Sequence, residues 1–376
     1  MPTETTRPAA LPSVIQAESI LSPSNASTSL NLYRTVVLPA EEAASHNAGK
    51  HQDAQTQLIQ VRVVGYLLLY CPSPCARQTL EAEVASCGTQ PDTHAAVFEL
   101  GAKYIKHLIV IFRKSRGRTS TPESSLPSPS SLGRLVQDHL SDMQRRDRAP
   151  RDHSSAKAFA LIRDNYRCIV TGRMDSVSSM AELTELAPGE TFGYTICCHI
   201  FPDSLGDVVA GATGPNLEHE PATVRDILTS FGYQVVCEEL GLGSTNANLH
   251  RLENVMTLDI VLRNELDRLN MWFEAIDGQQ KNTYKIVLAG RAERLASANL
   301  VPEQVTFTSH YPELSLPSPK YLRIHAACFR IAHLSGAAEH LDHIFREMEE
   351  LKVLALDGTF ADVLAYALHT RLAALV

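Results

Sequence analysis

Residues 196–205, ICCHIFPDSL, set Cys197 and Cys198 directly before His199, in a β-prone run that stops at Pro202. An imidazole titrates near neutrality, so His199 can take a proton from water and act as a general base. The two thiols are the other chemistry-bearing groups, and as thiolates they suit Zn²⁺ rather than Mg²⁺. A zinc site drawn from Cys168, Cys198, His199 and Cys237 is one reading, although no C-x-x-C pair accompanies it. The plainer reading makes Cys197 and Cys198 small apolar residues of a buried strand.

Farther along, NLHRLENVMTLD (248–259) brings His250, Asn254 and Asp259 into one short stretch, and Arg263 follows. Asparagine can hold a loop through its amide or cap a helix. Arg263 keeps its charge at every working pH and offers no lone pair to a metal. It reads as one rung of an ion-pair ladder with Asp259 and Asp267 at i±4 spacing. CPSPC (71–75), with its two prolines, reads as a helix stop and restart. His250, His219, His325, His333, His340, His343 and His369 read as surface or packing histidines.

These groups need elements to hold them. Residues 1–55, rich in Pro, Ser, Thr and Ala, predict a disordered arm. Helical spacing in QLIQVRVVGYLLLY (57–70), ARQTLEAEVASC (76–87) and THAAVFELGAKYIKHLIVIFRKS (93–115) predicts a helical region over 56–119. A Pro/Ser-rich linker and basic segment follow over 120–150. YRCIVTG (166–172) and FGYTICCHIF (192–201) read as short strands. Residues 258–269 have helical spacing, with Asn254 at the helix entrance, and MWFEAI (271–276) and NTYKIVLA (282–289) read as a closing pair of strands. Residues 291–376 predict a helical C-terminal region, with SPKYLRIHAACFRIAHLSG, AAEHLDHIFREMEELKVLA and TFADVLAYALHTRLAAL as its helices; Thr359 and Asp362 make a capping box for the last.

A chain of 376 residues has room for two domains or for one core with helical additions. Hydrophobic residues make up 44% and charged residues 20%, which suits a soluble globular protein with an aliphatic core. The longest apolar runs fall short of the roughly 18–20 residues that span a bilayer, so no membrane partner is expected. The first residues, MPTETTRPAALPS, lack the basic-then-apolar order of a secretory signal, and eight cysteines without regular spacing suit a reducing compartment. An intracellular location, nucleus or cytoplasm, is the expectation. The net charge of −8 argues against phosphate binding over the whole surface, although KYIKHLIVIFRKSRGR (103–118) and MQRRDRAPR (143–151) are locally basic. Solvated helix ends are the plain account of both.

Taken in order, CIVTG (168–172), CHIFP (198–202), ENVMTLD (253–259) and RNELD (263–267) resemble the HNH endonuclease family, whose core reads roughly C-x-V-T-G, HI-x-P, N-x-x-x-L and H-x-x-F-D. The wider layout is similar to that of fungal proteins carrying this domain, through GYLLLYCPSPCARQ (65–78), KSRGRTSTP (114–122) and IHAACFRIAHLSGAAEHLDHI (324–344). The resemblance implies an α+β protein, with a ββα-metal core over 151–290 flanked by helical N-terminal and C-terminal regions. It implies metal-dependent hydrolysis of DNA phosphodiesters, with His199 as base and Asn254 as the group that holds the loop and orients it.

The family's last histidine, on the helix, helps hold a divalent cation, and this chain has Arg263 there. The residue before the first histidine, often Asp in the family, is Cys198. The metal ligands are therefore open, with Cys198, Asp259 and His250 as substitutes and Mg²⁺, Mn²⁺ or Zn²⁺ as the ion. The alternative is a catalytically silent module that binds nucleic acid or protein, in which Arg263 grips a phosphate or a carboxylate. DNA and a protein partner on the C-terminal helices are the expected partners.

Overall fold

The computed structural model describes residues 7–21, 26–47, 54–113, 152–203, 221–244, 247–276 and 280–354, with a few single positions besides. Along the chain the first helices are α1 (Val14–Ile20), α2 (Ala26–Leu32), α3 (Leu38–Asn47), α4 (Ala54–Leu69), α5 (Pro74–Gly88) and α6 (Thr93–Tyr104). Then come α7 (His153–Arg163), β1 (Met174–Asp175), α8 (Ser176–Met180), β2 (Phe192–Gly193) and β3 (Thr195–His199). Helices α9 (Pro221–Ser230) and α10 (Gln234–Leu240) precede β4 (Val255–Asp259), α11 (Ile260–Asp267), β5 (Met271–Ala275) and β6 (Thr283–Leu288). The chain continues with α12 (Glu293–Ser297), β7 (Gln304–Thr306), α13 (Pro319–Ser335) and α14 (Ala337–Leu354). The mixture of helices with small sheets is α+β, as the sequence predicts.

Two compact units divide the chain: residues 1–113, 207–238 and 327–376 form one, and residues 114–206 and 239–326 the other. This differs from a division into consecutive N-terminal, central and C-terminal regions. Residues 207–238 group with the first helices, and 291–326 with the segment that carries His199.

In the helical unit, α4 is buried along nearly its whole length, so it presents apolar side chains all round instead of one stripe. Gly101 lets α6 approach it, since a Cβ there would lie 2.1 Å from the Gln60 carbonyl oxygen. Helix α4 ends before CPSPC and α5 restarts at Pro74, with the Ser73 hydroxyl accepting the Ala76 N–H at 3.0 Å. Within the expected disordered arm, Val14–Ile20 and residues 26–47 are instead helical. Tyr33 is fully buried and donates its hydroxyl to the Pro12 carbonyl at 2.7 Å, and Ala17, Ala40 and Ala44 are buried. Small alanine faces pack closely without large apolar groups, and a count of large apolar groups overlooks them.

The described part of the first basic segment is largely neutralised, with Lys103 paired to Glu83 at 2.7 Å and buried Arg113 to Asp342 at 2.9 Å. The linker and basic segment at 120–150 lie outside the described residues apart from single positions, as does the helix expected over 359–375.

The other unit is built on three small sheets, one of them only the two-residue parallel pair of β1 and β2. β3 and β4 pair antiparallel with His199 opposite Val255 and Thr195 opposite Asp259. β5, β6 and β7 form an antiparallel sheet, the expected closing pair plus one strand, around Trp272, Phe273, Tyr284 and Phe307. Side chains alternate across a strand, so Cys197 and His199 share one face of β3. Helix α7 covers that face: Ala156, Phe159 and Ala160 cluster with Cys197, Leu252 and Val255. Cys197 is thus core, as the plainer sequence reading has it.

Two local expectations change. YRCIVTG is a tight turn instead of a strand, with Cys168 N–H bonded to the Arg173 carbonyl and Gly172 N–H to the Cys168 carbonyl, both at 2.9 Å. Gly172 adopts φ 69°, which a side chain disfavours. The helix expected over 258–269 starts only at Ile260, and Asn254 leads into a strand, not a helix. Pairing with β3 buries all of Val255–Asp259 and outweighs the local helical period.

Candidate histidine site

His199 ends β3 and is 3% exposed. Two residues on, the chain is held by Asn254. The Asn254 Oδ1 accepts the Phe201 N–H at 2.8 Å, and its Nδ2 donates to the Phe201 carbonyl at 2.9 Å and to the Leu249 carbonyl at 2.8 Å. The Asn254 carbonyl also accepts the Ile200 N–H at 2.8 Å. One fully buried amide therefore ties the segment just after His199 to the residue just before His250. The consequence is a contact: His199 Nε2 stands 3.0 Å from His250 Nδ1, with the rings near perpendicular and their centroids 5.1 Å apart. One ring donates and the other accepts, since a neutral imidazole carries a single N–H.

A third imidazole joins them. Asp152 caps α7 by accepting the Ser155 N–H at 2.7 Å, and this places His153 in the first turn. The His153 ring centroid lies 5.7 Å from that of His199 and 6.4 Å from that of His250. His199 is buried, His250 is half-buried and His153 is exposed, so the group grades from the core to the solvent. The Asp152 carboxyl is held below its ordinary range, first by the Ser155 N–H and against the effect of burial, with help from the Ser155 hydroxyl. The loop carrying His250 is braced by Arg251, which donates to Glu253 at 3.0 Å and to the Glu239 carbonyl at 2.9 Å.

The remaining candidates lie elsewhere. Cys198 is 1% exposed and points to the face opposite His199. Asp259 caps α11 by accepting the Val261 N–H at 2.9 Å and pairs with Arg173 at 3.5 Å. It faces Thr195, four residues of β3 away from His199 or about 13 Å along the strand. Of the substitute ligands read from the sequence, only His250 meets His199. Arg263 is half-buried on α11 and ion-paired to Asp267 at 2.9 Å. A divalent cation held by the helix position does not fit here, because a guanidinium supplies repulsion in place of a lone pair. Cys168 is buried in its turn, where its sulfur accepts the Thr171 N–H. Cys237 is buried in the helical unit, with burial pushing its thiol pKa up. Among the described residues, no three His, Cys, Asp or Glu side chains stand as a ready set of metal ligands.

Sequence reasoning missed His153, whose signal was the capping pattern Asp152–Ser155 just ahead of an apolar helix. It also missed the support beneath the site. Arg163, fully buried, binds both oxygens of Asp164 and the carbonyls of Leu252, Val255 and Ser315, while Asp164 accepts the Thr257 N–H at 3.2 Å. That network fixes the chain on both sides of Asn254 against α7. Compared with protein-family models, with curated proteins and with solved structures, the chain matches none.

Proposed function

We propose that this chain is an HNH-type phosphodiesterase-like protein, a hydrolase of DNA phosphodiesters whose helix metal-ligand position has been given over to Arg263. What supports the reading most is the bracket made by Asn254, which fixes the backbone on either side of the His199–His250 contact through three hydrogen bonds. A general base must be held in one orientation, and the buried amide does this for His199. In the reaction a water oxygen attacks phosphorus and its proton passes to the His199–His250 pair. The P–O bond to the leaving oxygen breaks, and that oxygen takes a proton from solvent. Nicking of supercoiled plasmid DNA tests the reading. Slow cleavage that is lost in His199→Ala and Asn254→Ala is the expected result, and cleavage indifferent to both substitutions refutes it.

The Arg263–Asp267 ion pair favours a second reading, a module that binds nucleic acid without cutting it. Arg263 can exchange its carboxylate partner for a phosphate. With a net charge of −8, binding of a labelled duplex should be weak and fall steeply with salt. Tight binding that barely changes with salt is incompatible with it.

A further inference from the structure

We infer that residues 8–12 of this chain occupy, in cis, a groove that recognises an extended segment of a partner protein with a Leu-Pro core. The groove lies wholly in the helical unit, so it stands apart from the nuclease reading. Residues 8–13 belong to no helix or strand, and their backbone is gripped at four points. The Ala9 N–H donates to the Leu334 carbonyl of α13 at 3.0 Å. The Tyr66 hydroxyl, on α4, stands 3.1 and 3.0 Å from the carbonyls of Ala9 and Ala10. The buried Glu41 carboxylate accepts the Leu11 N–H at 3.0 Å and is held by Arg62 at 2.7 Å. Tyr33 donates to the Pro12 carbonyl at 2.7 Å. Burial raises the pKa of both tyrosines, which keeps their hydroxyls as donors.

Only one side chain of the segment is buried. Pro8 and Ala10 are exposed, Ala9 and Pro12 are half-buried, and Leu11 is buried. Its methyl carbons fill a notch made by Gly65, where a Cβ would lie 2.5 and 2.6 Å from them. Bonds to the main chain with one anchoring pocket are the pattern of peptide recognition, the first supplying affinity and the second specificity. None of the four grips depends on which chain supplies the backbone. The proline suits the ligand, because a residue before proline is biased toward the extended backbone and is partly ordered before it binds. The tether keeps the arm at an effective concentration on the order of mM, so an incoming segment must displace it. A second copy carries the same sequence and gains nothing over the tethered arm. A partner segment with larger side chains than Ala9 and Ala10 gains contacts that the arm lacks.

A fluorescein-labelled peptide of residues 7–13, RPAALPS, titrated into the full chain and followed by polarisation, tests the groove. Leu11→Gly in the chain frees the notch and should raise peptide affinity at least about tenfold over wild type, because apparent affinity scales with the fraction of open grooves. A peptide with glycine in place of its leucine should not bind. Adding Gly65→Ala to Leu11→Gly should abolish the gain, since the new methyl fills the notch, with the fold unchanged by circular dichroism. In wild type, excess peptide should speed hydrogen exchange at the Leu11 N–H, a readout that needs no variant. A Leu11→Gly chain that gains no affinity, binding indifferent to Gly65→Ala, or unchanged exchange at Leu11 overturns the assignment. Concentration-dependent wild-type dimers in light scattering, lost in Leu11→Gly, give the groove to a second copy and overturn the partner.

Discussion

Asn254 grips the backbone of Phe201 by both its polar groups, accepting the N–H at 2.8 Å and donating to the carbonyl at 2.9 Å. Asn254→Ala removes the amide's bonds to these groups and to the Leu249 carbonyl. The expected cost is about 2–5 kcal/mol, from roughly 1–3 kcal/mol for each stranded group less what entering water recovers. Asn254→Asp keeps an acceptor for Phe201 N–H but loses both donated bonds, so it should be destabilised to a similar degree. Denaturant unfolding measures both variants, and a midpoint equal to wild type for either one contradicts the bracket.

Arg163 should be the more sensitive position. It is fully buried against Asp164 and three carbonyls, so Arg163→Met strands an anion in the core. Breaking a buried pair from one side costs about 3–5 kcal/mol. Adding Asp164→Asn should recover part of the loss, because an amide can remain buried without charge while still accepting the Thr257 N–H. Thermal unfolding of both variants checks the order, and a double variant less stable than the single one excludes this account.

The ordered segments around His199 and Asn254 were legible because their chemistry is local: an imidazole at a strand end, an asparagine before an apolar run. What joins them was not. His250 reads from the sequence as a substitute ligand or a surface histidine, and the amide that holds Leu249 brings it to His199. His153 is forty-six residues before His199, and no periodicity reports a contact at that range. Helical spacing over 258–269 is real from Ile260 to Asp267. It misled at Leu258 and Asp259, where cross-strand pairing with Ile196 and Thr195 decides the backbone. The arm at 1–55 was misjudged for a related reason, since the partners that bury Tyr33 and Leu11 cannot be seen in the arm's own composition.

Acid should loosen the loop that carries His250. Burial would raise the Glu253 carboxyl, but the Arg251 hydrogen bond and charge, with bonds from its own backbone and Ser315, bring it net below its ordinary value. A carboxyl depressed in the folded state binds protons more weakly there than in the unfolded chain. Its stabilising contribution is thus present above the unfolded value, near pH 4.3, and is lost as pH falls through the folded one. Stability should fall below about pH 4.5, and Glu253→Gln should flatten that part of the profile. Equal acid slopes for variant and wild type in urea unfolding would remove Glu253 from the account.

The last expectation concerns Arg263. Arg263→His exchanges a permanent cation for a neutral imidazole one turn before Asp267, so that nitrogen and carboxylate stand at i,i+4 on one helix. The lost ion pair costs only about 0.3–0.5 kcal/mol, and the fold should persist. The variant should nick plasmid DNA with Mn²⁺ or Mg²⁺ where the wild type cuts slowly or not at all. Adding His199→Ala should then abolish the gain, because a metal without a base leaves the water unactivated. If the wild type already cuts rapidly with metal, Arg263 is no obstacle and another group holds the ion. If the variant binds Mn²⁺ yet stays inactive, His199 is a packing histidine at the end of β3, and the thiols beside it are simply core.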